Sequence, residues 1–192
     1  MKTGKGLIRV FTGDGKGKTT AALGSALRAA GENRRVTIVQ FLKGTGYTGE
    51  LRSAKLIMPT IMIKQFGFGC YLSDEISSGA AVCTKCGGCF RENRNPINNF
   101  APKALAYARE VLASGTVDLL VMDEISHAIK HKLLTVADVV DSLNSRTPHV
   151  EIILTGRNMP SELMDRADEI TVCHPIKHPL ANGLSARRGI EY

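Results

Sequence analysis

A glycine-rich segment reads Thr12-Gly13-Asp14-Gly15-Lys16-Gly17-Lys18-Thr19-Thr20 and joins the apolar run at residues 7–11 to a helix-forming run at residues 21–27. In such a segment the glycines let successive backbone N–H groups turn towards one anion, Lys18 adds a positive charge, and the Thr19 hydroxyl can hold a magnesium ion. The usual spacing places the first glycine at position 12, so this loop is a variant whose first glycine is Gly13. The strand before it and the helix after it favour a phosphate-binding loop over a chance glycine turn. The segment therefore predicts binding of a nucleoside triphosphate.

Apolar runs rich in β-branched residues recur along the chain and predict six strands, at residues 7–11, 36–41, 60–66, 117–122, 150–154 and 169–172. Their hydrophobicity is continuous, which is typical of strands buried on both faces of a parallel sheet. Helices are predicted between them at residues 19–30, 102–114, 135–144 and 161–167, with Ser161 as an N-cap. Together these elements predict an α/β fold, a P-loop NTPase-like three-layer domain with a mainly parallel central sheet.

The 192 residues, 43% of them hydrophobic, are enough for one domain with its own core. We predict a single domain over residues 1–192, with a cysteine-rich insertion at about residues 67–96 and a C-terminal tail at about residues 174–192. No segment is apolar enough to span a membrane, and residues 1–6 do not resemble a secretory leader. We therefore expect a cytoplasmic protein with no membrane partner.

The net charge of +7 invites a comparison with nucleic-acid-binding domains. However, the basic residues are dispersed between the glycine-rich loop, Arg28 and the tail residues Arg187 and Arg188, and tryptophan is absent. A highly charged small molecule explains the charge equally well, so a nucleic-acid partner is not expected.

Charged residues end two further strands at the sheet edge where the loop is expected. Asp123 and Glu124 follow the apolar run at residues 117–122, the position of residues that steer magnesium in phosphate-binding-loop enzymes. Which of the two acids touches the ion and which orients water or Thr19 stays open from the sequence. Arg157 follows the run at residues 150–154, and an arginine there can bind a phosphate or a carboxylate through two parallel hydrogen bonds.

Further motifs carry a family resemblance. They are Arg28-Ala29-Ala30-Gly31, Gln40-Phe41-Leu42-Lys43-Gly44, Gly49-Glu50, Met122-Asp123-Glu124, Leu154-Thr155-Gly156-Arg157-Asn158, Ala167-Asp168, Lys177-His178-Pro179 and Ala186-Arg187-Arg188-Gly189-Ile190-Glu191. With residues 12–22 they extend over most of the chain, which resembles the cytosolic ATP:corrinoid adenosyltransferases of the CobA/CobO/BtuR type.

The resemblance implies that Co(I) of a reduced corrinoid, cobalamin or a precursor, attacks the 5′ carbon of ATP and expels triphosphate. It implies Lys18, Thr19 and Glu124 as catalytic residues, and magnesium on Thr19, Asp123 and Glu124. Members of this family hold ATP reversed along the loop, so that the ribose carbon faces the acceptor. A cobalt-reducing flavoprotein or other reductase is the implied partner, and a homodimer the implied assembly. The implied substrate-binding residues are Thr12, Gly13, Asp14, Gly15, Lys16, Gly17, Lys18, Thr19, Thr20, Arg28, Lys43, Glu50, Arg157 and Arg187.

One family segment is altered in this chain. The family's Gly-x-Gly-Phe-Thr-Trp segment, whose aromatic rings help displace the lower ligand of the corrinoid, corresponds here to residues 67–72. Cys70 stands where the family has phenylalanine, and Leu72 where it has tryptophan. Phe68, Tyr71 and Phe90 are the candidates to fill that space instead.

Three cysteines of the insertion have a C-x2-C-x2-C spacing, at Cys83, Cys86 and Cys89, and Cys70 is available as a fourth thiolate. In a reducing cytoplasm a metal explains this array better than disulfides do. Zinc and an iron–sulfur cluster are both candidates, with unmetallated thiols as the alternative. Such a metal is expected to order the loop over the corrinoid, and a cluster could also pass an electron to cobalt. Cys173, on a predicted buried strand, is expected to be a small core residue.

Two histidines, His127 after the acidic pair and His178 in the tail, either contact a ligand or have structural roles. Two other functions also stay open from the sequence. One is a phosphate-binding-loop ATPase or kinase acting on another substrate, which would release ADP. The other is a metal-containing nucleic-acid-binding module, whose binding would depend steeply on salt.

Overall fold

The computed structural model of the chain describes residues 4–44, 46, 48–57, 59–83, 88–177, 183, 187 and 189–190. Within these residues the strands are β1 (Ile8–Thr12), β2 (Val36–Phe41), β3 (Ile61–Phe66), β4 (Leu119–Asp123), β5 (Glu151–Thr155) and β6 (Glu169–Val172). They form one six-stranded sheet in the order β3-β2-β4-β5-β1-β6, and every neighbouring pair is parallel.

Helices connect these strands. In the described part of the chain they are α1 (Lys18–Gly31), α2 (Gly49–Ile57), α3 (Ser73–Ser78), α4 (Gly88–Asn93), α5 (Phe100–Ser114), α6 (Ile125–Lys130), α7 (Val136–Asn144) and α8 (Ser161–Met164), with a 3-10 helix at Pro96–Asn98. Thr135 begins α7 with a capping box, in which its hydroxyl accepts from the backbone N–H of Asp138 and the Asp138 carboxylate accepts from the N–H of Thr135. No helix in the described residues is long and apolar enough to cross a membrane.

The core lies on both faces of the sheet. Along β4, Leu120 and Met122 belong to the buried cluster that includes residues of α5 and α7, whereas Leu119 and Val121 belong to the cluster that includes residues of α1. Because alternate residues of a strand point to opposite faces, a strand covered by helices on both sides must be apolar throughout. The predicted three-layer α/β fold is confirmed, and the predicted strand limits differ from the observed ones by two residues at most.

β6 departs from this pattern. It is an edge strand, paired with β1 alone in the order of the sheet, and its four residues are exposed. The prediction that this run is buried on both faces is therefore wrong, and none of its residues belongs to either buried cluster. Cys173 follows β6 and is half-buried, so the expectation of a core cysteine is also wrong.

Local predictions fail where helices are short. The helix predicted at residues 161–167 ends at Met164, and Pro160, rather than Ser161, occupies its N-cap position. The chain then turns so that Asp168 can accept a hydrogen bond from the N–H of Ile8 at 2.8 Å, which starts the pairing of β6 with β1. The predictions did not include α2, which has nine residues, or α6, which has six.

Candidate active site

The carboxyl ends of β1, β2, β4 and β5 lie at one edge of the sheet, because these strands are all parallel. The glycine-rich loop follows β1 at this edge and leads into α1, whose first residue is Lys18. Asp123 ends β4, Thr155 ends β5, and Lys43 follows β2 by two residues. One edge of the sheet therefore gathers the loop and most of the charged residues that the sequence singles out.

The ammonium of Lys18 occupies the centre of the loop. Its Nζ donates to the carbonyl oxygens of Gly13 and Gly15, each at 2.7 Å, and the residue is buried. Burial lowers the pKa of Lys18 below its ordinary value; the charge of Glu124 opposes this effect, and that of Arg157 adds to it.

The contact between Gly13 and Cys173 explains why the first glycine stands at position 13. Gly13 has a φ of 97°, and a Cβ there would lie 2.5 Å from the carbonyl oxygen of Cys173. The same carbonyl accepts a hydrogen bond from the N–H of Gly15 at 2.8 Å. Thr12 is still a strand residue, and its hydroxyl accepts from the N–H of Met159 at 3.4 Å. The loop therefore bends at Gly13, where the chain leaving β6 packs against it.

The buried carboxylate of Asp123 accepts four hydrogen bonds. Its Oδ1 accepts from the hydroxyls of Thr19, at 2.8 Å, and Thr155, at 2.7 Å. Its Oδ2 accepts from the ammonium of Lys43, at 2.6 Å, and from the amide of Gln40, at 3.1 Å. Four acceptor sites are about what a carboxylate offers, so both oxygens are fully engaged.

Asp123 and Lys43 keep each other charged. Burial alone would raise the pKa of Asp123, but the Lys43 ammonium and the hydroxyls of Thr155 and Thr19 hold it below its ordinary value. Burial alone would lower the pKa of Lys43, but the Asp123 carboxylate holds it above its ordinary value. The two residues therefore form an ion pair at neutral pH.

Glu124 has a strained backbone. Its φ is 63°, a conformation that residues other than glycine rarely adopt. Its N–H donates to the Thr155 hydroxyl at 2.9 Å, and that hydroxyl in turn donates to Asp123. Burial, and then the charge of Asp123, raise the pKa of Glu124. Such strain is concentrated at functional sites, which makes Glu124 a candidate for contact with a ligand.

The main chain at Arg157 is fixed by Ser126, whose hydroxyl donates to the Arg157 carbonyl oxygen at 2.6 Å. Gly156 has a φ of 144°, and a Cβ at this position would collide with the Ser126 hydroxyl. The Arg157 side chain is exposed, yet its charge is near enough to lower the pKa of Lys18. Arg157 therefore stands at the same edge as the loop.

Other predicted residues lie at the rim or further away. Asp14, Lys16 and Thr20 are exposed around the loop. Arg28 is in the last turn of α1, ten residues after Lys18 and therefore about 15 Å further along the helix, so the structure does not bring it to the loop.

The remaining predicted residues come from two other parts of the chain, α2 and the C-terminal segment. Glu50, in the first turn of α2, accepts from the Gln40 amide at 3.5 Å. Arg187 is exposed in the C-terminal segment, whereas His178 and Arg188 lie outside the described residues.

Two residues of this edge were not predicted as site residues, Gln40 and Thr155. Gln40 is completely buried, and its amide touches both Asp123 and Glu50. A glutamine within the otherwise apolar end of a buried strand was the signal available for it, since buried polar groups need partners. Thr155 lies in the motif at residues 154–158, but a threonine taken alone is an ordinary strand residue and gives no comparable signal.

An apolar cavity of about 350 Å³ opens in the insertion between β3 and α5. Cys70 and Cys89 both line it, together with Phe68 and Tyr71. Cys83 is half-buried, and Cys86 lies outside the described residues. Among the residues that the structure describes, no group of three His, Cys, Asp or Glu side chains is placed to hold a metal ion. The aromatic candidates Phe68, Tyr71 and Phe90 are all exposed.

His127 and His131 form a stacked pair beside Glu124. Their Nε2 atoms are 2.8 Å apart, and Nδ1 of His127 lies 3.9 Å from the Glu124 carboxylate. Burial, the neighbouring ring of His131 and the charge of Arg94 lower the pKa of His127 to about 4. His127 is therefore neutral at pH 7, and its contact with Glu124 is not an ion pair there.

Comparisons with known proteins agree on one family. Residues 4–192 match the family described as ATP:corrinoid adenosyltransferase BtuR/CobO/CobP. The chain is 32% identical to corrinoid adenosyltransferase CobA of Salmonella typhimurium over 188 residues, which are 98% of this chain and 86% of that protein. It is 31% identical to the corrinoid adenosyltransferase of Escherichia coli, with the same coverage, and 33% identical to that of a Sinorhizobium species over 189 residues, 98% of this chain and 81% of that protein.

The low pKa of His127 makes stability depend on pH. Below pH 6.5 the unfolded chain takes up a proton at this position, and the folded chain resists it down to about pH 4. The free energy of unfolding should therefore fall as pH falls through this window. We expect a loss of about 1 kcal/mol, less than the pKa shift alone implies, because solvent screens a side chain that is 41% exposed. His127→Gln should flatten the slope in chemical denaturation, and His131→Gln should flatten it partly. Equal slopes for His127→Gln and the wild type would contradict this explanation.

Proposed function

Because the chain belongs to the ATP:corrinoid adenosyltransferase family, we propose that it transfers the 5′-deoxyadenosyl group of ATP to the Co(I) of a reduced corrinoid, cobalamin or a precursor. The match to the family over residues 4–192 is the observation that carries this proposal. The enzyme is a transferase. The two alternative functions, a phosphate-binding-loop ATPase or kinase and a nucleic-acid-binding module, are not favoured.

The reaction forms a cobalt–carbon bond and breaks the bond between C5′ and the oxygen that links it to the α-phosphate. Co(I) supplies the electron pair of the new bond and becomes Co(III), and triphosphate leaves with the electron pair of the broken bond. Negative charge therefore increases on the triphosphate during the step. Groups that stabilise this charge, fixed in place beforehand, lower the barrier.

We assign the binding of triphosphate to the glycine-rich loop, Lys18 and the first turn of α1. The first N–H groups of a helix have no partners within the helix and favour an anion. In the structure the Lys18 ammonium donates hydrogen bonds to the carbonyl oxygens of Gly13 and Gly15. A phosphate oxygen near this ammonium would provide a stronger, charge-assisted partner. Arg157 adds positive charge at the same edge, whereas the charge of Lys43 is balanced by its ion pair with Asp123.

Magnesium would be held by the Thr19 hydroxyl and the Glu124 carboxylate, and when bound it would offset charge on the triphosphate. The donors fit such an ion, because the Thr19 hydroxyl gives its hydrogen to Asp123 and so keeps its oxygen lone pairs for a cation. Asp123 already uses both oxygens. We therefore assign Asp123 to orienting Thr19 and Glu124 to contact with the ion, a division that the sequence left open.

For the corrinoid we propose the apolar cavity of the insertion. Its aromatic walls suit one edge of a large, flat ligand, and the Phe68 ring is supported by an edge-to-face contact with Phe100, with centroids 4.8 Å apart. Phe68 and Tyr71 line this cavity, which favours these two rings over Phe90 as substitutes for the family's missing aromatic residues.

We further propose that Cys70, Cys83, Cys86 and Cys89 hold zinc or an iron–sulfur cluster that orders the insertion. Four thiolates suit either metal. Cys70 and Cys89 line the same cavity although 18 residues, 71 to 88, separate them in sequence, so a metal held by them would belong to the wall that faces the corrinoid. A cytoplasmic location, a homodimer and a cobalt-reducing flavoprotein or other reductase complete the proposal by analogy with the family.

The products of the reaction test the proposed function. With ATP, magnesium and chemically reduced cobalamin, the protein should form a light-sensitive alkylcobalt spectrum and release one triphosphate per adenosylcobalamin. Lys18→Ala should lower the rate by at least about 100-fold, because it removes a charge that stabilises the leaving group. Arg109→Ala, which changes an exposed residue of α5, is the matched control and should keep the wild-type rate.

Two results would contradict these assignments. Release of ADP and inorganic phosphate without the alkylcobalt spectrum would refute adenosyl transfer. Wild-type activity in Lys18→Ala would refute the role of the loop.

Metal analysis tests the cysteine proposal. Purified protein should contain about one zinc site or one cluster per chain, and Cys83→Ser and Cys89→Ser should each lower the metal content and the melting temperature. An iron–sulfur cluster would in addition show visible absorption that bleaches on reduction. The metal proposal is wrong if the purified protein contains neither zinc nor iron and both variants are fully active.

A further inference from the structure

A row of hydrogen-bonded side chains crosses four neighbouring strands at the candidate site. Gln65 of β3 donates to Gln40 of β2 at 2.7 Å, and Gln40 donates to Asp123 of β4 at 3.1 Å. Thr155 of β5 donates to the same carboxylate at 2.7 Å. Gln40 is directly opposite both Gln65 and Asp123 in the strand register, so the row follows from the pairing of the strands.

The direction of the hydrogen bonds along the row is fixed by chemistry. An ionised Asp123 can only accept, so the NH2 group of Gln40 must face it and the carbonyl oxygen must face away. That carbonyl oxygen accepts from Gln65, and the Gln40 NH2 group also faces Glu50 at 3.5 Å. If the Gln40 amide turned over, its oxygen would face two carboxylates. Gln65 opposes this turn because its NH2 group needs an acceptor.

We propose that Gln40 and Gln65 are positioning residues that fix the Asp123 carboxylate, and through it the Thr19 hydroxyl, for the binding of ATP with its magnesium ion. Asp123 Oδ2 is shared by Gln40 and the ammonium of Lys43, whereas Oδ1 holds Thr19. A carboxylate held at Oδ2 from two sides cannot rotate, so Oδ1 stays aimed at Thr19.

The same row joins the insertion to the triphosphate side of the site. Gln65 is followed by Phe66, the last residue of β3, and the insertion then begins with Gly67 and Phe68. Buried Asn93 of α4 makes a second connection, since its amide donates to the carbonyl oxygen of Leu42 at 3.0 Å and accepts from the N–H of Phe68 at 2.5 Å. The identity of the ligand, ATP with magnesium, rests on the proposed function. The geometry of the row does not depend on it.

The test measures ATP affinity by titration calorimetry, without corrinoid, in the presence and absence of magnesium. Gln65→Glu keeps the size of the side chain but places an acceptor against the Gln40 oxygen. Affinity for ATP with magnesium should fall by about tenfold, because the Gln40 NH2 group would turn towards the new carboxylate and its hydrogen bond to the charged Asp123 would be lost. Affinity for ATP without magnesium should change by less than about twofold, because the row acts through Thr19 on the ion.

Two further variants separate hydrogen bonding from charge and folding. Gln65→Met removes the donor without adding charge and should weaken binding with magnesium by about threefold. Lys64→Gln makes the same change of net charge as Gln65→Glu, on the same strand but the opposite face, and should bind as the wild type does.

The proposal is overturned if Gln65→Glu and Gln65→Met bind ATP with magnesium as the wild type does. Equal losses with and without magnesium would also overturn it, since they indicate a general structural role. If the wild type fails to adenosylate corrinoids but the magnesium-dependent losses appear, the proposed function fails and the positioning role stands.

Discussion

The arrangement of the site depends on one buried negative charge, the carboxylate of Asp123. A carboxylate that is 1% exposed is tolerable only when positive charge and donors replace water. Here they come from four parts of the chain: Thr19 of α1, Gln40 of β2, Lys43 after β2, and Thr155 of β5. Satisfying this charge therefore fixes the loop against three strands, whatever ligand the edge binds.

The same charge divides the work between neighbouring acids. Asp123 faces inwards and organises the hydroxyl and the ammonium around it, whereas Glu124 stands on a strained backbone whose N–H is held by the Thr155 hydroxyl. In the proposed reaction this division lets Asp123 orient Thr19 while Glu124 meets the ion. The positive charge that stabilises the leaving triphosphate is then in place before the reaction, and a site preorganised in this way lowers the barrier.

Much of this was predictable from the sequence, and the exceptions have physical reasons. The loop, the strands and the acidic pair each have local signatures, because continuous apolar runs and Gly-Lys-Thr mark parallel strands and a phosphate-binding loop. The roles of Gln40 and Thr155 depend on which residues of β2, β4 and β5 lie side by side, and register is a property of the assembled sheet. Exposure of β6 likewise depends on what covers its faces in the assembled domain, and the distance of Arg28 from the loop follows from where α1 ends.

The affinity of Asp123→Asn for ATP with magnesium tests the central claim most directly. Asparagine keeps the shape of the side chain, but its NH2 group cannot accept hydrogen bonds. In one orientation this group would face the donors of Gln40 and Lys43, and in the other those of Thr19 and Thr155, so the four hydrogen bonds to Asp123 cannot all form. We predict a folded protein that binds ATP with magnesium at least about tenfold more weakly than the wild type. Wild-type affinity in this variant would contradict the view that the buried charge of Asp123 organises the site.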